Sequence, residues 1–161
     1  MNYIEFYYQI SKRYQNLRGQ RIFEKSNQVI TYAFYVLYPI LLIYMLITKH
    51  PKLLVTIIVP AISVVLVSLI RKWIGRPRPF EIYPIHALLT KDSKRDAMPS
   101  RHIFSATIIA MMFFHVSGIL ACMLLVVALL EGYIRVVGGV HYPSDVIVGY
   151  LLGVLFGLFT L

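Results

Sequence analysis

Apolar positions along this chain gather into long runs, and the polar residues stand between the runs rather than inside them. Residues 29–48 form an uncharged run of about 20 residues, the length that crosses a hydrocarbon core. Pro39 predicts a kink there, tolerable where neighbouring helices satisfy the freed carbonyl. Lys49, His50, Pro51 and Lys52 predict a short turn. A second uncharged run, 53–70, contains Pro60 and stops at Arg71 and Lys72. Residues 103–130 carry no formal charge but are too long for one span, and Ser117 and Gly118 predict the break. The helix before the break is short and is extended back by residues near Ser100 to His102. The helix after it continues through Glu131 to about Val137. Gly138, Gly139, His141, Tyr142 and Pro143 predict a turn, and a last helix runs from about Ser144 to the end.

The pattern predicts an all-α, polytopic membrane bundle of five transmembrane helices. Residues 1–28 are expected to form a separate interfacial amphipathic segment. Tyr3, Ile4, Phe6, Tyr7 and Ile10 supply its apolar set, and Lys12, Arg13, Arg18, Arg21 and Lys25 follow. Residues 29–161 form the membrane-embedded domain, with a polar loop at 71–101. X-Pro steps at Pro77, Pro79 and Pro84 break helix continuity in that loop. Gly149, Gly153 and Gly157 put small residues on one face of the last helix. They are expected to pack within the bundle, the alternative being a homodimer seam.

Composition agrees with a lipid solvent. The 161 residues are 58% hydrophobic and only 14% charged, against about a quarter charged in soluble domains. The net charge of +9 fits a membrane surface or an anionic substrate better than nucleic acid, because most of the chain would lie in the bilayer. Cys122 is the only cysteine, which excludes an internal disulfide and a thiol-rich metal site, and it is expected to be a packed residue.

Charged and ionisable groups are costly in a membrane, so their clustering is informative. Three clusters stand at span ends: Arg71 to Pro79, Pro99 to His102, and Arg135 to Asp145. The first ends the second span and the second begins the third. Two further crossings bring the third cluster back to the same membrane face. Arg71, Arg78 and Arg135 offer forked cationic donors to phosphoryl oxygens. The backbone at Ser100, Arg101 and His102 begins a helix, where free N–H groups suit an anion. His102 and His141 can serve as acid and nucleophile, and Asp145, four residues after His141, can orient its ring. Few carboxylates accompany them, which argues against a magnesium or zinc site.

These clusters resemble the three-part signature of the type 2 phosphatidic acid phosphatase family, which reads Lys-x6-Arg-Pro, Pro-Ser-Gly-His and Ser-Arg-x5-His-x3-Asp. Arg78, Pro79, Pro99, Ser100, His102, Arg135, His141 and Asp145 match in type and spacing. Arg71 stands in place of lysine, Arg101 in place of glycine, and Ile134 in place of serine. Arg101 either adds a phosphate contact or points to solvent. The resemblance covers about residues 53–161 and implies a metal-free, cofactor-free phosphatase. His141 would attack phosphorus, Asp145 would hold its ring, and His102 would protonate the leaving oxygen and then activate water. Arg71, Arg78, Arg135, Ser100 and Arg101 would bind phosphate. Lys72, Arg76 and Glu131 are expected to support the site, Glu131 by steadying Arg135 and the other two at lipid headgroups.

The implied function is hydrolysis of a lipid phosphate or diphosphate of the undecaprenyl diphosphate, phosphatidylglycerophosphate or phosphatidic acid type. The alternatives are a lipid phosphotransferase on the same site and a non-catalytic anionic-lipid-binding protein. The resemblance points to a multi-pass protein of a bacterial cell membrane with its site on the extracytoplasmic face. Lysine and arginine counting would instead place the basic N-terminal segment inside. Lys91, Asp92, Lys94, Arg95 and Asp96 read as a solvated charge run, a substrate lid being the alternative, and His86 as a loop residue able to reach a headgroup.

Overall fold

The computed structural model describes residues 2–89 and 96–161, and among them every regular element is helical. Helix α1 spans Tyr3–Ser11 and passes through a short 3-10 turn into α2, Leu17–Ile47. Helices α3 (Leu53–Ile74), α4 (Pro79–Ile82), α5 (Arg101–Met112), α6 (Gly118–Val137) and α7 (Pro143–Leu158) follow. By length and composition α2, α3 and α6 can each cross a membrane, and α7 is a shorter apolar helix. The charge run at 91–95 lies outside the described residues.

Helix α2 runs through the expected boundary at 28/29. Asn16 caps it by accepting from the Gly19 N–H at 2.6 Å, and no breaker follows before Pro39, so one helix of 31 residues forms. The polar residues 17–28 are therefore the first turns of a membrane helix. Helix α1 does not lie apart on the bilayer. The Tyr3 ring sits 4.7 Å from Tyr83 and 5.1 Å from Tyr142. The Tyr7 hydroxyl donates to the His86 carbonyl at 2.8 Å. Gly139, at φ 77°, lies under Tyr7, where a Cβ would come within 2.9 Å of the hydroxyl. A side chain there would meet both a steric and a backbone penalty.

Helix α5 is the centre of the bundle and packs against α2, α3, α6 and α7. Nine of its residues are buried, from Ile103 to Met112, as expected of a helix that is apolar all round. At 1.5 Å per residue it is about 18 Å long, too short to span alone, and its neighbours shield it from lipid. The outer faces of α2, α3 and α6 are apolar and exposed, as a lipid solvent requires. Cys122 is on that exposed face of α6 rather than packed.

Between helices in lipid, association rests on close packing rather than on water exclusion. Gly149, Gly153 and Gly157 are all buried on α7. A Cβ on Gly149 would meet the Ser100 backbone at 2.7 Å, one on Gly153 would meet Thr107 at 2.6 Å, and one on Gly157 would press on Met111. The glycine face is thus occupied by α5 of the same chain and is closed to a second copy.

The path α2 down, α3 up, α5 down, α6 up and α7 down puts the 71–101 loop and the 138–142 turn at one end. The N-terminus shares that end. Residues 48–52 and the C-terminus share the other, where Lys52 Nζ donates to the Thr160 carbonyl at 2.9 Å.

Candidate active site

Three segments are tied together at the loop end of the bundle. The Ser100 N–H donates to the Asp145 carbonyl at 2.9 Å, which joins the start of α5 to the start of α7. The Ala97 N–H donates to the Arg76 carbonyl at 2.9 Å, and the Leu89 N–H to the Gly138 carbonyl at 3.2 Å. Gly75, left-handed at φ 56°, caps α3 and turns the chain toward Arg76 and Arg78.

A cavity of about 100 Å³ opens among these segments, lined by Ser68, Arg71, Lys72, Arg78, Asp96, Arg101, His102 and His141. It gathers both histidines and three of the arginines that the sequence nominated. Arg101, exposed as a side chain, lines this cavity rather than pointing only to solvent. Arg78 is almost wholly buried and caps α4. Its N–H donates to Glu81 Oε2 at 2.7 Å, and its guanidinium donates to the Val140 carbonyl at 3.0 Å and to the Asp96 carbonyl at 3.3 Å. Arg71 donates to the Pro99 carbonyl at 2.7 Å and also to the Asp96 carbonyl. Its two-pronged reach braces the 96–99 segment, which a single lysine ammonium could not match in geometry.

His141 is buried in the α6–α7 turn. Its Nδ1 lies 3.6 Å from Asp145 Oδ2, an ion-pair distance longer than a hydrogen bond. Catalytic contacts of this kind tighten when substrate binds. Burial is the main cause that pushes the His141 pKa down, to about 4, with a smaller opposing effect from Asp145. The ring is therefore neutral at ordinary pH. Asp145 is held at both oxygens. Oδ2 accepts the Tyr142 N–H at 2.9 Å, and Oδ1 accepts from Arg76 Nη1 at 2.7 Å.

Arg76 therefore does something other than meet lipid headgroups. It donates to Asp145 and to Ser144 Oγ at 2.8 Å, and its guanidinium lies 4.1 Å over the Tyr142 ring. Ser100 also differs from expectation. Its N–H is taken by Asp145, so the helix-start donors outside α5's own hydrogen bonds are those of Arg101, His102 and Ile103. Ser100 Oγ is buried without a hydrogen-bond partner among the described residues.

Arg135 reaches a second, larger cavity on the far side of His102, and it does not line the first. It pairs with Glu131 at 3.6 Å, and Glu131 also accepts from Thr31 Oγ1 at 2.9 Å. Glu131 thus steadies Arg135 as the four-residue spacing predicts. His86 is engaged in the loop, with Nε2 3.2 Å from Gln20 Nε2. Ser68 lines the first cavity without having been singled out, and Asp96, expected in a solvated charge run, lines it too. Ser68 was hidden in an apolar run, and Asp96 in a run of mixed charge. Among the described residues, no three His, Cys, Asp or Glu side chains cluster at metal-ligand spacing.

The sequence model of the PAP2 superfamily matches residues 52–161. No curated protein matches significantly in sequence. Among solved structures, Aquifex aeolicus LpxE superposes with a TM-score of 0.75 at 27% identity, over 98% of this chain and 93% of that one. The first transmembrane PAP2-type phosphatidylglycerolphosphate phosphatase from Bacillus subtilis superposes with a TM-score of 0.64 at 22% identity, over 98% and 91%.

Proposed function

The chain belongs to the PAP2 superfamily, and from that premise we propose that it is an integral membrane lipid phosphatase working through a phosphohistidine. The observation that carries this reading is the cationic cavity in which a buried, neutral His141 faces His102. Arg71, Arg78, Arg101 and the first N–H groups of α5 neutralise the phosphoryl oxygens as charge develops. Arg135 contributes from the far side of His102.

In the first step His141 Nε2 attacks phosphorus. The N–P bond forms as the P–O bond to the leaving group breaks, and His102 gives its proton to the departing oxygen. The Nδ1–H of His141 turns to Asp145, which stabilises the ring as it gains positive charge. In the second step His102 takes a proton from water, the water oxygen attacks phosphorus and the N–P bond breaks. Inorganic phosphate leaves and His141 is neutral again. The scheme uses no cofactor.

The substrate is a lipid because the cavity lies at the end of a bundle with an apolar outer face. Undecaprenyl diphosphate, phosphatidylglycerophosphate and phosphatidic acid are the candidate types, and the site faces the extracytoplasmic side. The test is phosphate release from that panel by detergent-purified protein, with chelator present and His141→Ala alongside. Release by wild type alone is expected. A folded wild type that releases nothing, or an equally active His141→Ala, would overturn the reading.

A further inference from the structure

Behind His102, away from His141, lies the second cavity, of about 270 Å³, between the first turns of α2 and helices α5 and α6. Glu24, Asn27, Gln28 and Thr31 form its α2 wall. Their spacing of three, four and seven residues puts them in one stripe down a single helix face. The stripe looks inward at His102 and Arg135, although polar groups at the head of a membrane helix could have faced the aqueous surface freely.

Folding makes little use of these groups. Thr31 donates to Glu131, but the side chains of Glu24 and Gln28 have no hydrogen-bond partner among the described residues. Asn27 Oδ1 and Arg135 Nε are buried and unpaired. Buried polar atoms are rarely left this way. Here an orphan acceptor and an orphan donor belong to residues lining one cavity. A hydroxyl group satisfies both, since it donates once and accepts twice.

We infer that this cavity receives the headgroup of the leaving lipid, and that the headgroup is hydroxyl-bearing, glycerol-like or sugar-like. The inference rests on the phosphatase reading above. His102 protonates the leaving oxygen, so the leaving group departs on the His102 side, where this cavity lies. The Glu24 carboxylate on the wall disfavours a leaving group whose departing oxygen is itself on a second phosphate, as in a diphosphate; in phosphatidylglycerophosphate the hydroxyl-bearing glycerol separates the departing oxygen from the phosphodiester. Diacylglycerol, the leaving group of phosphatidic acid, brings no hydroxyl to the orphan atoms besides the departing one.

The test compares kcat/KM on four lipids: phosphatidylglycerophosphate, a glycolipid phosphorylated on its sugar, phosphatidic acid and undecaprenyl diphosphate. Wild type should prefer one of the two hydroxyl-bearing lipids over the other pair by about tenfold, the effect of one well-made hydrogen bond to a substrate hydroxyl. Whichever of the two is preferred distinguishes glycerol from sugar. Asn27→Leu and the more exposed Gln28→Leu should each shrink that ratio, and Glu24→Gln should raise the relative rate on the diphosphate. Gln28→Leu keeps the test open if Asn27→Leu fails to fold. A wild type that hydrolyses the lipids without preference, or variants that leave the ratio unchanged, would overturn this inference alone. No hydrolysis of any lipid would remove the phosphatase reading and this inference with it.

Discussion

Replacing Gly149 with alanine perturbs the site through one methyl group. The new Cβ would stand 2.7 Å from the Ser100 carbonyl oxygen and 3.3 Å from its nitrogen, where ordinary contact begins at 3.4 Å. Relief needs α5 and α7 to part by about 0.7 Å, the difference between 3.4 and 2.7 Å. The obstacle is backbone, so no side-chain rotation absorbs it. Overpacking of this kind costs about 1–3 kcal/mol of stability. The displaced atoms also carry the Ser100–Asp145 hydrogen bond and, two residues on, His102. A misplacement approaching 1 Å in a reacting group can cost about 100-fold in rate, so kcat should fall by about 10- to 100-fold. Gly157→Ala is the control. Its Cβ presses on Met111, two helical turns from the site. It should lose similar stability while the folded protein keeps kcat within about twofold. Thermal unfolding in detergent and kcat at saturating lipid phosphate measure the two effects. A stable Gly149→Ala with wild-type kcat, or an equal loss of kcat in Gly157→Ala, would refute the coupling of this helix contact to the site.

Arg76→Gln removes the charged partner of Asp145 Oδ1. Because Arg76 is about one-third exposed, the loss is discounted to roughly 1 kcal/mol. That predicts a fall in kcat of about fivefold, an altered pH profile and partial recovery in Arg76→Lys. Glu131→Gln leaves Arg135 buried with no carboxylate and should destabilise the protein by about 3 kcal/mol, seen as a lowered Tm. For pH, the His141 pKa is about 4 in the fold against 6.5 for the free side chain. The unfolded chain therefore binds a proton that the folded chain refuses between those values. Stability is full above about pH 6.5 and is lost as pH falls toward 4. Plots of Tm against pH should be steeper over that window for wild type than for His141→Asn.

The five helices of the bundle were legible because uncharged runs and the Ser117-Gly118 break mark them directly, but only α2, α3 and α6 reach the length of a full span. The meeting of Arg71, Arg78, Arg101, His102 and His141 followed from counting crossings, since each cluster ends or begins a span. The start of α2 was not legible. Glu24, Arg21 and Lys25 lower the local hydropathy, so residues 17–28 resemble a surface segment. Their inward stripe becomes evident only when α5 and α6 stand opposite. Nor could the sequence assign Arg76, whose partner Asp145 is 69 residues away. The split of Arg71 between two carbonyls depends on a loop path that side-chain chemistry does not encode.

If His141 is the nucleophile, phosphate passes through its ring on the way to water. Rapid acid-free quenching of wild type with radiolabelled lipid phosphate, followed by peptide mapping, would trap that intermediate. A base-stable, acid-labile label is expected on the peptide carrying His141, forming and decaying at rates compatible with turnover, with no label in His141→Ala. Turnover with no labelled intermediate, or a label that persists in His141→Ala, would contradict it.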